Sequence, residues 1–280
     1  MSLKVGVTGA RGFIGSHLVD ELSSSNFEVV VIDLRKPDPL HFEGLDVVVH
    51  LAAATPQKVS ADQRVIGQRN LEAALAALDI CKVTSCAMVF ISTYLYRYSG
   101  EGGVDENSEL DLSSEYRRTK RLGELECEKH FEKTGLPVTV LRMSNVFGPG
   151  QGPEFLIPSL IQQVTQGGAV LLRSRDTKRD FLFIDDAIRA IKLSFDYLKE
   201  CNYFNVGSGR TNSVSEALDI IEEKVGLRPI RTWGDGYGGG NSSPMLTDRI
   251  LAKVGWSPQI RFEEGLSRSV DFFMTRGGQL

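Results

Sequence analysis

The sequence predicts an α/β fold, a doubly wound parallel sheet followed by a smaller C-terminal lobe. Two observations carry that prediction. Short runs of apolar, largely β-branched residues alternate with stretches whose apolar residues recur at helical spacing, the pattern of strands covered on both faces. After Gly148 the alternation gives way to a segment richer in Pro and Gly, with longer connections between its helices. At 280 residues the chain has room for one such unit and a lobe, and not for several independent domains.

Residues 3–7 are an apolar run ending at Thr8-Gly9, after which Phe13, Ile14, His17, Leu18 and Leu22 mark one face of a helix. Residues 27–32 read as a second strand closed by Asp33, 47–51 as a third and 87–91 as a fourth. A helix over 64–78 precedes the fourth strand, with Leu71, Ala74, Leu75 and Leu78 on one face. A helix over 114–134, stopped by Gly135, leads into a fifth strand at 137–141. Later helices are expected near 155–166, 187–199, 214–225 and 263–275, the third opened by a capping box at Ser213-x-x-Glu216. Residues 203–206 return as a strand to the main sheet. Gly234-Asp235-Gly236-Tyr237-Gly238-Gly239-Gly240 reads as a mobile loop.

Composition excludes several functions. Hydrophobic residues at 41% and charged residues at 24% are ordinary for a soluble globular chain. A net charge of −4 argues against a nucleic-acid partner, which needs a basic face. No apolar run approaches a membrane span, and Met1 leads straight into a strand pattern, so neither membrane segment nor signal peptide is expected. Cys81, Cys86, Cys127 and Cys201 show no paired spacing, which fits reduced thiols in a cytoplasm, and the four histidines show no metal-ligand spacing, so no metal is expected.

Gly9-Ala10-Arg11-Gly12-Phe13-Ile14-Gly15 is G-x-x-G-x-x-G between the first strand and first helix. Glycine lets backbone approach a pyrophosphate, and the helix start offers free N–H groups and a partial positive charge. Tight helix–strand packing also produces such patterns, but here strand, loop, helix, second strand and a terminal Asp33 fall in order. Asp33 suits a ribose 2′-OH and would repel a 2′-phosphate, favouring NAD over NADP. Arg35 and Lys36 either soften that preference or form a solvated loop. The stretch Ser114-Glu115-Tyr116-Arg117-Arg118-Thr119-Lys120 places Tyr116 and Lys120 one turn apart on a helix face. A cation beside the phenol favours its phenolate, so the pair fits a proton-transfer residue and its tuning ammonium. Arg117, Arg118 and Arg121 are expected on the exposed side, with no catalytic part.

With these motifs the chain resembles the extended short-chain dehydrogenase/reductase family, specifically its NAD-dependent nucleotide-sugar epimerases, dehydratases and reductases. The resemblance runs nearly the full length, through Asp46-Val47-Val48-Val49-His50-Leu51-Ala52-Ala53, Phe90-Ile91-Ser92-Thr93-Tyr94-Leu95-Tyr96, Leu141-Arg142-Met143-Ser144-Asn145-Val146-Phe147-Gly148-Pro149-Gly150 and Arg179-Asp180-Phe181. Phe204-Asn205-Val206-Gly207-Ser208-Gly209 and Val254-Gly255-Trp256-Ser257-Pro258 complete it. The resemblance implies a Rossmann-type domain holding NAD over residues 1–148 with about 181–207. It implies a lobe gripping a nucleotide-diphosphate sugar over about 149–180 with 208–280, and a homodimer. Cofactor contacts are expected from Gly9, Arg11, Gly12, Phe13, Ile14, Gly15, Asp33, Leu34, Leu51, Ala52, Ala53, Tyr116 and Lys120. The resemblance implies a Ser or Thr after the fourth strand sharing the sugar oxygen with Tyr116. Counting from the strand end selects Thr93, and counting back from Tyr96 selects Ser92. Asn145 resembles the residue that holds the substrate diphosphate, and Arg179 the arginine that pairs with its phosphates. Arg142 reads as a structural ion-pair residue.

Three features depart from the family. Asp33 and Asp46 stand too close together for the usual additional helix and strand, so the sheet is expected to be one strand short. Tyr94-Leu95 replaces the Asp-Glu pair with which dehydratases remove a hydroxyl. Ser243-Pro244-Met245-Leu246-Thr247 lacks the second phosphate arginine of many UDP-sugar enzymes, leaving Arg249 or Arg231 as candidates. The expected activity is epimerisation at C4 through a transient 4-keto sugar. The alternatives are a 4-keto-sugar reductase consuming NAD(P)H, less readily a dehydratase, and outside enzymes a dinucleotide sensor.

Overall fold

The computed structural model describes residues 2–36, 42–55, 62–172, 177–234 and 241–275; the glycine run at 235–240 lies outside them. The first half contains β1 (Lys4–Thr8), α1 (Phe13–Ser23), β2 (Glu28–Ile32), β3 (Val47–His50), α2 (Gln63–Thr84), β4 (Ala87–Thr93), α3 (Glu115–Thr134) and β5 (Val138–Met143). The second half adds β6 (Asn145–Phe147), α4 (Leu156–Thr165), β7 (Val170–Leu172), β8 (Lys178–Arg179), β9 (Phe181–Phe183), α5 (Ile184–Ser194) and β10 (Cys201–Val206). It ends with β11 (Asn212–Ser213), α6 (Val214–Val225), β12 (Arg231–Trp233), α7 (Asp248–Val254) and α8 (Phe262–Thr275).

Among the described residues the main sheet has six strands in the order β10-β5-β4-β3-β1-β2, every pair parallel. This is the shortened sheet expected from the spacing of Asp33 and Asp46, with β2 at one edge. Alternate side chains feed two cores. Val47, Val49, Val89, Ile91 and Leu141 face α1, α5 and the lobe, whereas Val48, Met88, Phe90 and Val140 face α2 and α3. The chain leaves β1 outward to β2 and then crosses back to β3. The strand ends of β1 and β3 therefore flank a topological switch point, the place where open α/β sheets bind ligands.

Local chemistry sets the helix that matters most. Ser114 caps α3 by accepting from the Arg117 N–H, and Gly135 ends it at φ 71° with its N–H on the Phe131 carbonyl. Other boundaries move. The Asp62 carboxylate starts α2 at Gln63, and the helix runs on to Thr84, past the expected 78. α5 begins at Ile184 and ends at Ser194, earlier at both ends than expected. Phe181–Phe183 pairs with β6 rather than with the main sheet, while Cys201–Val206 does return to it beside β5. No helix among the described residues is long and apolar enough to cross a membrane, and none of their His, Cys, Asp and Glu groups could hold a metal.

Candidate active site

At the switch point β1 turns into α1 with no room for side chains. Gly9 has φ 69°, and a Cβ there would lie 2.7 Å from the Ala52 nitrogen. A Cβ on Gly15 would lie 2.1 Å from the Gly9 carbonyl oxygen. Gly12 stands at the N-cap of α1 without a side-chain cap, so the first-turn amides around Phe13 and Ile14 remain available to an anion. A cavity of about 380 Å³ opens beside this turn, lined by Gly9, Arg11, Asp33, Leu34, Ala52 and Ala53 among others. This cradle fits a dinucleotide: glycine backbone and a free helix start for the pyrophosphate, a carboxylate at the end of β2 for a ribose.

Two features of this cavity were hidden in the sequence. Asn70 lies on the buried face of α2 and clamps the wall, accepting from the Ala54 N–H at 2.8 Å and donating to the Ala54 carbonyl at 3.0 Å. A polar residue on the inner face of an amphipathic helix was the available signal. Arg35 lies in an exposed turn, and its Nε and Nη2 donate to the two Asp33 oxygens at 2.9 and 2.7 Å. The Arg35 guanidinium holds the Asp33 carboxyl well below the usual carboxylate range, so Asp33 stays ionised and a ribose diol must share it with Arg35.

Thr8, at the end of β1, ties the strand ends together. Its Oγ1 accepts from the N–H groups of Leu51 and Ala52, both at 3.2 Å, which leaves its proton for His50 Nδ1 at 3.0 Å. His50 is 1% exposed and burial, helped by the charge of Lys120, pushes it down to about 3. The unfolded chain therefore takes up a proton on His50 between pH 6.5 and 3 that the folded chain does not. Its contribution to stability is complete above pH 6.5 and is lost as pH falls, at up to about 1.4 kcal/mol per pH unit. Urea unfolding across this range should show a shallower fall in stability for His50→Gln than for the wild type; equal slopes would mean that His50 is not buried neutral.

The proton-transfer candidates gather where α3 crosses the end of β4. Lys120 is 6% exposed, donates from Nζ to the Ile91 carbonyl at 2.8 Å and lies 5.3 Å from the Phe90 ring centre. Burial lowers its pKa to about 8, against the opposing pull of Glu124. Tyr116, one turn earlier, is pushed up to about 12 by burial, and its hydroxyl has no hydrogen-bond partner among the described residues. The expected tuning of Tyr116 by Lys120 is thus absent from the protein alone: the ammonium is turned to the strand carbonyl, and burial sets the phenol.

The two hydroxyl candidates separate cleanly. β4 continues to Thr93, so Ser92 and Thr93 point to opposite faces. Ser92 is buried and its Oγ donates to Glu124 Oε1 at 2.6 Å. Thr93 is half-buried, and its Oγ1 makes no hydrogen bond to a described residue. Tyr94 and Leu95 follow, both buried. The Tyr94 hydroxyl accepts from the Ser243 N–H at 2.8 Å, which ties the site to the lobe.

The arginines of α3 do not all face water. Arg118 is exposed and pairs with Glu115. Arg117 pairs with Asp111, and its charge helps depress the pKa of Arg179, whose guanidinium is lowered first by burial. Arg117 is therefore half-buried, paired to Asp111 rather than turned to solvent. Arg121 is half-buried against Glu124 and the Tyr203 ring. The exposed-face expectation fails for these two because residues one and five positions from Tyr116 flank its face rather than oppose it. Asn145 donates from its amide and backbone N–H groups to the Asp180 carbonyl, both at 3.0 Å. Asp180 in turn is buried and accepts from Ser208, Gly209 and Met245, which fixes β8 and β9 against the loop after β10. Arg142 is the structural ion-pair residue expected, bound to Glu124 at 2.8 Å. Arg231 is committed to Asp219 and Glu222, and Arg249 lies exposed on α7 over the Phe204 ring, so neither is brought to this cleft.

Fold and cradle together define a dinucleotide-binding protein of the doubly wound class, with a tyrosine–lysine pair at the strand ends. The model of the NAD dependent epimerase/dehydratase family matches residues 5–207, and the chain belongs to that family. A putative UDP-glucose 4-epimerase of Methanocaldococcus jannaschii is 27% identical over 302 residues, covering 95% of this chain and 97% of its own. The dTDP-glucose 4,6-dehydratase of Streptomyces griseus is 30% identical over 308 residues, covering 95% and 93%. MoeE5, solved in complex with UDP-glucose and NAD, matches with a TM-score of 0.90 at 27% identity over 98% of this chain and 99% of its own. The protein is an enzyme of this family, and its cofactor is NAD.

Proposed function

We propose that the protein is an NAD-dependent nucleotide-sugar 4-epimerase. One observation carries the reading: the site holds two hydroxyls without partners among the described residues, Thr93 and Tyr116, near a buried Lys120, and it has no acid–base pair after Thr93. Tyr94 and Leu95 occupy those positions, and the Tyr94 phenol, raised by burial, is tied to Ser243. Such a site moves one proton on and off a sugar oxygen but has nothing to expel a hydroxyl group, which disfavours dehydration despite the similarity to a dehydratase.

In this reading Tyr116 Oη takes the proton of the C4 hydroxyl and returns it, Thr93 Oγ1 holds the same oxygen, and Lys120 supplies positive charge beneath the pair. Bound NAD supplies the acceptor and donor of the hydride. Ser92 is left out, because its proton is already given to Glu124. Residues 1–148 with about 181–207 hold NAD through the Gly9–Gly15 turn and Asp33. Residues about 149–180 with 208–280 hold the sugar nucleotide, with Asn145 and Arg179 toward its diphosphate and Arg117 adding a second guanidinium across the cleft. The nucleotide-sugar class is supported by MoeE5, solved with UDP-glucose, and by the naming of the archaeal relative. The enzyme is a homodimer in this reading. Exposed Val65, Leu75 and Val83 on α2 and Leu122 on the adjoining α3 support a second copy covering that pair, and sedimentation at micromolar concentration reads the mass directly.

With NAD present, UDP-, dTDP-, GDP- and CDP-sugars are each tested for a rise in melting temperature. At a ligand concentration of 100 Kd the gain is about 2.7 kcal/mol of apparent stability. Stabilisation by one nucleotide series supports the reading, and no response to any of the four defeats it. Stoichiometric oxidation of added NADH or NADPH by a 4-keto sugar nucleotide would instead identify a reductase.

A further inference from the structure

Glu124 stands one helical turn beyond Lys120 on α3 and is 0% exposed. Its Oε1 accepts from Ser92 Oγ at 2.6 Å and from Arg142 Nε at 3.0 Å, and its Oε2 accepts from Arg142 Nη2 at 2.8 Å and Arg121 Nη1 at 2.9 Å. Arg142 continues the chain of contacts, donating from Nη1 to Tyr96 Oη at 2.9 Å and to the Glu106 carbonyl at 3.1 Å. Tyr96 Oη donates to Asn205 Oδ1 at 2.5 Å. One carboxylate therefore joins α3 to the ends of β4 and β5 and, through Tyr96, to β10.

A buried ion pair is a poor way to gain stability, because a well-packed apolar pair of the same volume is often as stable or more so. Two things an apolar pair would not supply are an acceptor for Ser92, the residue next to Thr93, and a negative charge one turn from Lys120. Among the described residues the groups near Lys120 are His50 from β3, the Phe90 ring and Ile91 carbonyl from β4, Glu124 and Cys127 on its own helix, and Tyr116 one turn earlier. His50 is held neutral, and burial keeps both the Tyr116 phenol and the Cys127 thiol protonated. Glu124 is the full negative charge in that set.

We propose that Glu124 is a positioning residue for the proton transfer: through Ser92 it fixes the end of β4 so that Thr93 meets the sugar oxygen beside Tyr116, and it places a carboxylate one helical turn from Lys120. This rests on the roles given above to Thr93, Tyr116 and Lys120. Ser92 is thereby a link in the support, which explains why two adjacent hydroxyls at the strand end are not equivalent.

The decisive variant is E124L/R142M, which removes both buried charges together and leaves neither alone. Its melting temperature should stay within a few degrees of wild type, reporting an intact fold. Turnover of the sugar nucleotide selected by the stabilisation screen should fall at least about tenfold. The alkaline weakening of NAD binding, followed by titration between pH 6 and 10, should begin about one pH unit lower, since Lys120 loses the charge that holds its proton. S92A keeps the ion pair and should lower kcat without moving that alkaline limb or the KM. A folded double variant with wild-type turnover and an unmoved pH limb overturns the proposal, and if the double variant does not fold, an unchanged kcat in S92A overturns it. The NAD titration needs no sugar. If the wild type turns over none of the nucleotide sugars, the epimerase reading falls while the pH limb still decides the part played by Glu124.

Discussion

Tyr116→Phe is expected to lower turnover by about 10²–10⁴-fold while NAD binding and melting temperature stay close to wild type. The structure separates the two effects because the Tyr116 hydroxyl binds no described residue, so its removal breaks no hydrogen bond among the described residues and the ring keeps its packing. Burial that raises the phenol to about 12 leaves almost none of it as phenolate near neutral pH. In the proposed reading it would work when positive charge is brought beside it, from Lys120 and from an oxidised nicotinamide, which would tie proton transfer to the cofactor-loaded enzyme. Initial rates and an NAD titration on the same preparation check the prediction. Undiminished turnover would remove Tyr116 from the chemistry.

The second large effect lies in the cradle. Gly15→Ala would put a methyl 2.1 Å from the Gly9 carbonyl, inside backbone that cannot give way without shifting the β1–α1 turn. A cost of about 1–3 kcal/mol in urea unfolding is expected, together with loss of NAD binding, since the turn that moves is the one facing the pyrophosphate. Gly168→Ala is the control. Its Cβ would meet nothing within 4 Å and its φ is not positive, so it should be neutral or slightly stabilising by about 0.4–1 kcal/mol. A Gly15→Ala protein that binds NAD like wild type would mean the cradle is placed wrongly.

Much of this was legible because it is local. The β1–α1 turn announces itself in the spacing of Gly9, Gly12 and Gly15, and α3 in the chemistry of Ser114 and Gly135 at its ends. The buried strands show as apolar runs because both faces are covered. What stayed hidden depends on which distant element packs against a residue. Ser92 and Thr93 are equivalent on paper, and only the packing of α3 on β4 gives Glu124 to one of them. Glu124 sits in the charged stretch Gly123-Glu124-Leu125-Glu126-Cys127-Glu128-Lys129, where nothing local sets it apart from the carboxylates that face water. The burial of Arg117 and Arg121 is hidden for the same reason. The two- and three-residue pairings β6–β9, β7–β12 and β8–β11 have no sequence signal, since so short a strand has no period to read.

The central claim is that the enzyme inverts C4 and recycles its cofactor. Proton NMR of the nucleotide sugar selected by the stabilisation screen, incubated with enzyme and NAD in catalytic amount only, tests this directly. The account predicts a mixture of the two C4 epimers, many turnovers per NAD and no net NADH. A 6-deoxy-4-keto product, or conversion that stops when the added nicotinamide is used up, would contradict it.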